Sequence, residues 1–348
     1  MNMKKLLKSL SVVFILMSMV CFSSCKNGGD TSNEAHSIQL KFSRLDQDLI
    51  AIDTNHIAED LAKLKSKYPE FLDFYLDTLM GFNIQGMYND SNPGIIYGLR
   101  TFLTYPDFRG LFDTIAHHYP NTTSINKALN KGFSNLKHYY PQAPTPHIIY
   151  LNSNLNNYAA FTYDTIAIGV GLDMYLGEYY PYYASVGIPH YMTQRLTEED
   201  IPVNVFQSLY RAKHPFTMEN RTLLDMMIQK GKEQYFLEKI IPFVSESKRL
   251  GFTQQQLAWC EASEAAIYNF FIDRQFLYST NLQQVMRYIM DGPNAAGMPK
   301  ESPGNVGSWL GYQIVKAYVA KHTDKSLQDI IALPDAQKIL QESKYKPK

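Results

Sequence analysis

Cys25 is the residue whose sequence context predicts a definite chemical reaction. Ser23 and Ser24 precede it directly, and Phe22 occupies the position where such signals usually carry Leu. Small residues before a cysteine allow a signal peptidase to accept the turn, and the cysteine thiol then takes a diacylglycerol. The segment therefore predicts a bacterial lipobox with acylation of Cys25. An ordinary secretory signal followed by a chance cysteine is the alternative interpretation.

Residues 1–24 have the three parts of an export signal. Three lysines precede an apolar run from Leu10 to Val20, and small residues follow. This arrangement is typical of a secretory signal peptide, and the run is too short to span a bilayer. We expect cleavage at the end of this segment. The polar, Gly-rich residues 25–36 then form a flexible tether. Lys26 without an acidic run favours the periplasmic face of the outer membrane.

The segment His190-Tyr191-Met192-Thr193-Gln194 has the length of the zinc-binding pattern His-Glu-x-x-His. In that pattern two His side chains at i and i+4 hold Zn²⁺ from one helix face, and the Glu activates water. Here Tyr191 replaces the Glu, and its neutral phenol cannot act as a carboxylate base at neutral pH. Gln194 replaces the second His, and an amide is a poor zinc ligand. Of this motif only His190 could still bind a metal, so we expect no metal cofactor here.

Glu261 and Glu264 form a second candidate pair. On a continuous helix they would share a stripe with apolar side chains, and carboxylates buried there need partners. A functional interpretation makes them a buried acid/base or ligand pair. A structural interpretation has them capping a neighbouring helix or pairing with a cation. The candidate cations are Arg195, Lys230 and Arg274.

The triplet Asp-Thr-aliphatic occurs three times and resembles the O-glycosylation acceptor of Bacteroidota envelope proteins. The three threonines are Thr78, Thr114 and Thr165. Chance alone would give about one such triplet in a chain of this composition. We expect Thr165 to be buried in a sheet, which leaves Thr78 and Thr114 as the candidate acceptors.

Charge excludes a nucleic-acid-binding function. The chain has 33 basic and 33 acidic side chains, and signal cleavage removes three lysines and no acid. A slightly acidic domain has no positive field for a phosphate backbone. Contact with the membrane is therefore expected only through the acylated Cys25.

Cysteine content predicts a domain held together by packing alone. After cleavage, Cys25 and Cys260 remain, and the first is acylated, so no intrachain disulfide can form. Cys260 follows Trp259 inside an apolar helical pattern. We expect it to be a buried, inert thiol.

Hydrophobic periodicity predicts an α+β fold, predominantly helical with one small central sheet. Residues 37–140 are mainly helical, and three prolines within residues 141–146 interrupt the chain. Residues 147–348 supply two strand-like runs, His147 to Leu151 and Tyr158 to Val170, followed by helices. Two long helices are expected, from Trp259 to Leu282 and from Val306 to Ala320. We expect both parts to form one compact domain.

Several long segments resemble the gliding-motility lipoprotein GldB family of Bacteroidota, over essentially the whole mature chain. They are Ile166–Gly177 followed by Tyr180–Tyr183, Met227–Lys232, Gly251–Cys260, Phe276–Thr280, Glu301–Gly304 with Trp309–Tyr312, and Ser343–Pro347. The resemblance implies an envelope lipoprotein linked to gliding and to cell-surface assembly, with no established enzymatic activity. Relatives in non-motile bacteria imply that gliding need not be the role of every member.

The family is also distantly similar to predicted zinc metallopeptidases with an HExxH helix and a downstream Glu-Gly motif. That similarity places His190 on the first motif and Lys230-Gly231 on the second, with Lys230 at the position of the ligand Glu. A cation there repels Zn²⁺. The similarity thus implies a degenerate zincin-like scaffold that retains a groove, with an edge strand near Ala160 to Ile168 able to pair with an extended peptide.

These observations predict a non-catalytic lipoprotein, lipid-anchored in the envelope, that binds a protein or peptide partner. Two alternatives remain open at this stage. One is a hydrolase whose rearranged site uses His190 with Glu261 or Glu264, which would require these side chains to share a pocket. The other is a purely structural lipoprotein, for which the anchor at Cys25 matters and the groove does not.

Overall fold

Four short strands form one mixed sheet in the computed structural model, which describes residues 38–82, 92–156 and 158–348. The strands are β1 (Lys41–Arg44), β2 (His147–Leu151), β3 (Ala160–Tyr163) and β4 (Ala167–Gly171). Their order in the sheet is β1-β2-β4-β3. Strands β1, β2 and β4 are parallel, and β3 pairs antiparallel with β4. β3 is therefore an edge strand of this sheet.

The sheet separates two hydrophobic clusters. Along β2, Ile148 and Tyr150 belong to one cluster, and Ile149 and Leu151 belong to the other. Successive side chains of a strand point to opposite faces, so each face of β2 packs against a different set of helices. This double burial explains why β2 reads as a continuous apolar run.

The first half of the chain supplies helices to both faces. The helices are α1 (Leu45–Ile50), α2 (Ile57–Lys67), α3 (Pro69–Phe74), which continues into a π-helical turn (Tyr75–Leu79), α4 (Pro93–Thr104), α5 (Pro106–His118) and α6 (Thr123–Tyr139). Helices α3, α4 and α5 begin with proline, whose fixed φ and missing N–H suit the first helical position. The described part of residues 37–140 is thus mainly helical.

The second half is helical after the sheet. Its helices are α7 (Tyr182–Ser185), α8 (His190–Thr193), α9 (Ile201–Lys213), α10 (Leu223–Ile240), α11 (Glu246–Leu250), α12 (Gln254–Ala262), α13 (Glu264–Asp273), α14 (Leu282–Ile289), α15 (Val306–Val319), α16 (Leu327–Ala332) and α17 (Ala336–Ser343). Short 3₁₀ turns cover Leu172–Tyr175, Glu198–Asp200 and Phe276–Tyr278. The predicted α+β class with one small sheet is confirmed.

Two predicted elements are wrong in their extent. The expected helix from Trp259 to Leu282 is broken, because α12 ends before Ser263 and α13 starts after it. The expected strand from Tyr158 to Val170 is two strands joined by a turn at Asp164, which has a φ of 51°. Asp tolerates this left-handed conformation better than most residues, so the run folds back as a hairpin.

Buried hydrogen bonds to Asp173 connect the segments that follow the carboxyl ends of β2 and β4. The fully buried carboxylate of Asp173 accepts hydrogen bonds from Ser153 N, Ser153 Oγ and Leu155 N at 2.7–2.8 Å. Burial raises the pKa of Asp173, and the bonds from the Ser153 backbone and side chain oppose that rise. In the segment that these hydrogen bonds connect, Asn154 and Leu155 have φ values of 56° and 57°. This left-handed conformation is strained for Leu.

Candidate functional site

The outer edge of β3 carries backbone groups without a strand partner. Gly171 N donates to Ala159 O at 3.1 Å, which places residues 159, 161 and 163 in the hydrogen-bonded pairs of the β3–β4 ladder. Because hydrogen-bonded and non-bonded pairs alternate in an antiparallel ladder, Ala160 and Thr162 point their N–H and C=O groups away from β4. No backbone hydrogen bond joins these groups to another residue in the described part of the chain.

Aromatic side chains support β3 from one face. The Phe161 ring lies over Gly169 of β4, where an added Cβ would come within 2.2 Å of Phe161 Cζ. Phe161 also stacks on Phe71 of α3 at 6.3 Å, and Tyr163 meets Phe71 edge-to-face at 5.5 Å. These rings fix the position of the strand while all four of its residues stay partly exposed. Helix α9 also packs against β3, so rings and a helix hold the strand while its residues remain partly exposed.

A cleft of about 270 Å³ lies beside the hairpin, between β3–β4 and the end of α9. Thr162, Ile168 and Ala212 are among its walls, and Pro144 and Pro146 close one side. We call it the hairpin cleft. A strand added beside β3 would place alternate side chains toward this face of the sheet.

The proline loop, residues 141–146, separates the hairpin cleft from a larger apolar cleft of about 330 Å³. Lys137 Nζ holds the loop by donating to the carbonyl oxygens of Pro141 and Ala143. The two clefts share Pro144, Leu209 and Lys213 as lining residues. They are therefore neighbouring parts of one groove along the end of α9.

Two tyrosines in the wall of the apolar cleft have buried hydroxyl groups without a hydrogen-bond partner among the described residues. They are Tyr140, after α6, and Tyr210 of α9, which is 2% exposed. Burial raises the pKa of Tyr140 to about 12 and raises that of Tyr210 further. Both phenols therefore stay neutral, and their unmet hydrogen-bonding capacity is a cost to the folded state.

A third cavity, also of about 330 Å³, shares the lining residue His214 with the apolar cleft. Arg221, Lys232 and the end of α16 complete the walls. We call this the basic cavity. Lys232 is 5% exposed and donates to the carbonyl oxygens of Ile331 and Leu333. The basic cavity, with its buried cation, therefore adjoins the groove at His214.

His190 does not sit on a long helix as the zinc pattern requires. Helix α8 has four residues, so Gln194 lies beyond its end. The His190 side chain is 71% exposed and its Nε2 lies 3.6 Å from Glu178 Oε1. Tyr191 is half-buried beside it. Helix α8 ends one turn after it starts, so no continuous helix face places residues 190 and 194 together.

Lys230 takes part in an ion-pair network on α10. Its Nζ lies 3.9 Å from Glu233 Oε2, and Glu233 also receives two hydrogen bonds from Arg211, at 2.7 and 3.1 Å. Burial lowers the pKa of Lys230, and the Glu233 carboxylate opposes this. Glu233 is 4% exposed, so the network neutralises a buried carboxylate. This arrangement gives Lys230 a structural task.

Glu261 and Glu264 are not a pair of buried acids. Glu261 is exposed near the end of α12, and Glu264 is half-buried at the start of α13, because Ser263 breaks the helix between them. Glu264 Oε1 accepts a hydrogen bond from Tyr345 at 2.6 Å. No hydrogen bond or ion pair among the described residues joins either glutamate to His190. The structure gives no support to a shared hydrolytic pocket.

The three Asp-Thr-aliphatic triplets differ in exposure. Thr78 is exposed on the π-helical turn, and Thr114 is half-buried and donates to Gly110 O at 2.7 Å. Thr165 is exposed in the turn between β3 and β4, so the expectation that it is buried in the sheet is wrong. The signal peptide (1–24), Cys25 and the tether (25–36) lie outside the described residues.

Sequence reasoning missed Lys232 and the buried Asp173. Lys232 appeared only within a segment of family resemblance, although a lysine one helical turn from Ile228 on a largely apolar helix is a usable signal. Asp173 follows an apolar strand, where a carboxylate is often a buried cap. Across residues 38–82, 92–156 and 158–348, no group of three or more His, Cys, Asp or Glu side chains could hold a metal ion.

Fold and groove together define a helix-rich α+β protein with an open sheet edge. In the part of the chain that the structure describes, no helix has the length and apolar character to cross a bilayer. Comparison with protein families matches residues 25–347 to the family described as gliding motility protein GldB. The chain belongs to the GldB family. No curated protein and no solved structure matches it, so the comparisons give no support to a zincin-like scaffold.

Proposed function

We propose that the protein is a lipid-anchored, non-catalytic envelope protein that binds an extended segment of a protein partner by strand addition. The observation that carries the proposal is the outward-pointing backbone of Ala160 and Thr162 on a supported edge strand. Main-chain hydrogen bonds supply affinity in such complexes, and adjoining pockets supply specificity. The protein would act in this way in gliding or in envelope and surface assembly.

The groove supports this proposal because it extends the edge strand. The hairpin cleft, the apolar cleft and the basic cavity follow one another through shared lining residues. A compact small molecule needs only one cavity, whereas three cavities in a row match the shape of an extended ligand. Edge strands that are left open attract other strands, so a specific partner would also protect the protein from aggregation.

The anchor would bring this groove to the envelope surface. Acylation of Cys25 would leave residues 25–36 as a tether ahead of Ile38, the first residue that the structure describes. Twelve residues span at most about 43 Å when extended. The domain would then stay close to the outer membrane, on its periplasmic face, while its groove remains accessible to a neighbouring protein.

Photo-crosslinking in the native host tests the proposal. Benzoylphenylalanine placed at Tyr163, on β3, should capture one defined envelope protein, whereas the same probe at Tyr97, which is 74% exposed on α4, should not. Thr162→Pro removes an outward N–H and should abolish the crosslink. Thr162→Val keeps that N–H and should preserve it, so the pair separates backbone pairing from side-chain contact.

Three outcomes would reject the proposal. Equal crosslinking from Tyr163 and Tyr97 would show that the edge strand has no special role. A full loss of cellular function in Cys25→Ala, together with none in Thr162→Pro at normal protein levels, would favour the purely structural lipoprotein. Elemental analysis of the purified chain provides the third. Stoichiometric zinc that is lost in His190→Ala would favour the hydrolase alternative.

A further inference from the structure

Lys232 is a buried cation without a counter-ion. Its side chain is 5% exposed, and no described carboxylate lies within ion-pair distance of Nζ. The nitrogen donates to the carbonyl oxygens of Ile331 and Leu333, which are orphan acceptors at the end of α16. Capping satisfies two of its three N–H bonds. It leaves the net charge uncompensated, and buried charge is costly unless it is paired.

The other charged walls of the basic cavity are one cation and one carboxylate. Arg221 is exposed at the rim, where its guanidinium lies 5.6 Å from the centre of the Phe216 ring. The one acid in the lining, Asp225, is engaged elsewhere, because its Oδ2 accepts from the Thr222 backbone and hydroxyl at 2.9 and 2.8 Å. The cavity therefore has two cations and one carboxylate, and that carboxylate already caps the start of α10.

His214 joins this cavity to the rest of the groove. Burial, together with Lys232 and Lys213, lowers the pKa of His214, so at neutral pH its ring is uncharged and can donate one hydrogen bond. A ligand oxygen entering from the apolar cleft would pass this ring before reaching Lys232. The chemistry that fits such an end is an anion with acceptor oxygens only, small enough for about 330 Å³.

We propose that the basic cavity binds a carboxylate of an extended acidic peptide, held by Lys232 and Arg221. This inference rests on the proposed peptide-binding function, because it assigns the far end of the same groove. Carboxylate is favoured over phosphate, since two cations beside the Asp225 carboxylate leave a net charge of about one to balance. Arg221 can form a bidentate pair with the carboxylate, and Lys232 supplies the third donor.

Protonation of Lys232 gives the proposal a pH signature. Burial lowers its pKa to about 8, so the free protein loses this positive charge as pH rises through about 8. A bound carboxylate favours the charged form. Binding should therefore weaken above this pH. The other charged or titratable side chains at the cavity are Arg221, Asp225 and His214. Lys213 lies close to His214, and burial lowers the pKa of that histidine.

The test uses the full chain in lipid nanodiscs and two fluorescent octapeptides. Both alternate Thr and Val; one ends in Glu with a free carboxyl terminus, and the other ends in Gln as an amide. We expect the acidic peptide to bind at least tenfold more tightly at pH 7. Arg221→Gln and Lys232→Met should each remove most of this preference. Arg274→Gln, another exposed arginine over a phenylalanine ring, should retain it.

Further peptides and competitors identify the group that supplies the anion and distinguish failure of this proposal from failure of the proposed function. A Glu-ended amide separates side-chain from terminal carboxylate, and competition by phosphate but not acetate would overturn the assignment. Equal binding of the first two peptides, or none, would also overturn it. A preference that persists in Arg221→Gln, which should fold normally, would do the same. If Thr162→Pro leaves acid-specific binding intact, the result supports carboxylate binding in the basic cavity and contradicts strand addition.

Discussion

Gly231 of α10 and Gly311 of α15 are in direct backbone contact. A Cβ added to Gly231 would lie 2.4 Å from the carbonyl carbon of Gly311, and one added to Gly311 would lie 1.8 Å from the Met227 carbonyl oxygen. Two helices can approach this closely only where neither has a side chain. The pair therefore fixes the position of α10, which carries Lys232 at the end of the groove.

Gly311→Ala should destabilise the protein strongly. Alanine normally favours a helix interior over glycine, but here the new methyl group meets backbone that cannot rotate away. We expect a loss of about 3 kcal/mol in the free energy of unfolding, measured by chemical denaturation. Gly110→Ala is the matched control in α5, where nothing lies within 4 Å of the added Cβ. It should gain about 0.5–1 kcal/mol; equal effects at both sites would contradict the close contact.

Tyr210→Phe should leave stability unchanged or raise it by up to about 1 kcal/mol, because it removes a buried hydroxyl that has no partner. The control is Tyr75→Phe, whose hydroxyl is also buried but donates to Asn152 O at 2.8 Å. That change should cost about 1–2 kcal/mol. Thermal unfolding of both variants checks the contrast. A similar loss in each would mean that Tyr210 has an ordered water as its partner.

Cys25→Ala should release the protein from membranes and abolish labelling by an alkyne analogue of palmitate. The acyl chain supplies the membrane affinity, which falls when the thiol is absent. Cys260→Ala is the control, because Cys260 is fully buried and burial raises its thiol pKa; its label should remain. Fractionation and in-gel fluorescence measure both effects. Retained label in Cys25→Ala would instead indicate acylation at another residue.

Acidification should destabilise the protein through His147. Burial, with Lys41 and Lys67 nearby, lowers the pKa of His147 from 6.5 to about 4. Between these values the unfolded chain binds a proton that the folded one does not, so stability falls as pH drops from about 6.5 toward 4. His147→Gln should reduce the difference in unfolding midpoint between pH 7 and pH 5. The same change at the exposed His117 should leave that difference as in the wild type.

Glycan attachment at the Asp-Thr-aliphatic triplets remains a prediction, with a revised order of preference. Thr78 and Thr165 expose their side chains, whereas the Thr114 hydroxyl donates to Gly110 O. A modifying enzyme needs the free hydroxyl, so we expect Thr78 and Thr165 to be modified before Thr114. Mass spectrometry of peptides from the protein of the native host would decide this. Modification of Thr114 alone would show that local opening, not exposure, controls the site.

Local patterns in the sequence predicted the central elements well. Residues His147–Leu151 form β2 with the expected bounds, and Val306–Val319 forms α15 within one residue of the prediction. β2 is buried from Ile148 onward, and most residues of α15 are buried, so surface preferences compete little with their apolar pattern.

The errors occurred where a single residue redirects the chain. A continuous helical pattern gave no sign that Ser263 would end α12, and the break moved Glu261 into solvent. The hairpin turn at Asp164 similarly brought Thr165 to the surface. The groove could not be predicted at all, because it joins residues of the proline loop, α9 and α10 that are distant in sequence. Hydrophobic periodicity predicts each helix or strand separately. It does not indicate which residues of different elements lie side by side.

The parallel pairing of β1 with β2 has a consequence for how the protein is made. Lys41 lies beside His147, so more than a hundred residues must emerge before the first strand meets its neighbour. Long-range pairing of this kind slows folding. The helices between these two strands are made before the sheet can form, so β1 remains without its partner strand during that time.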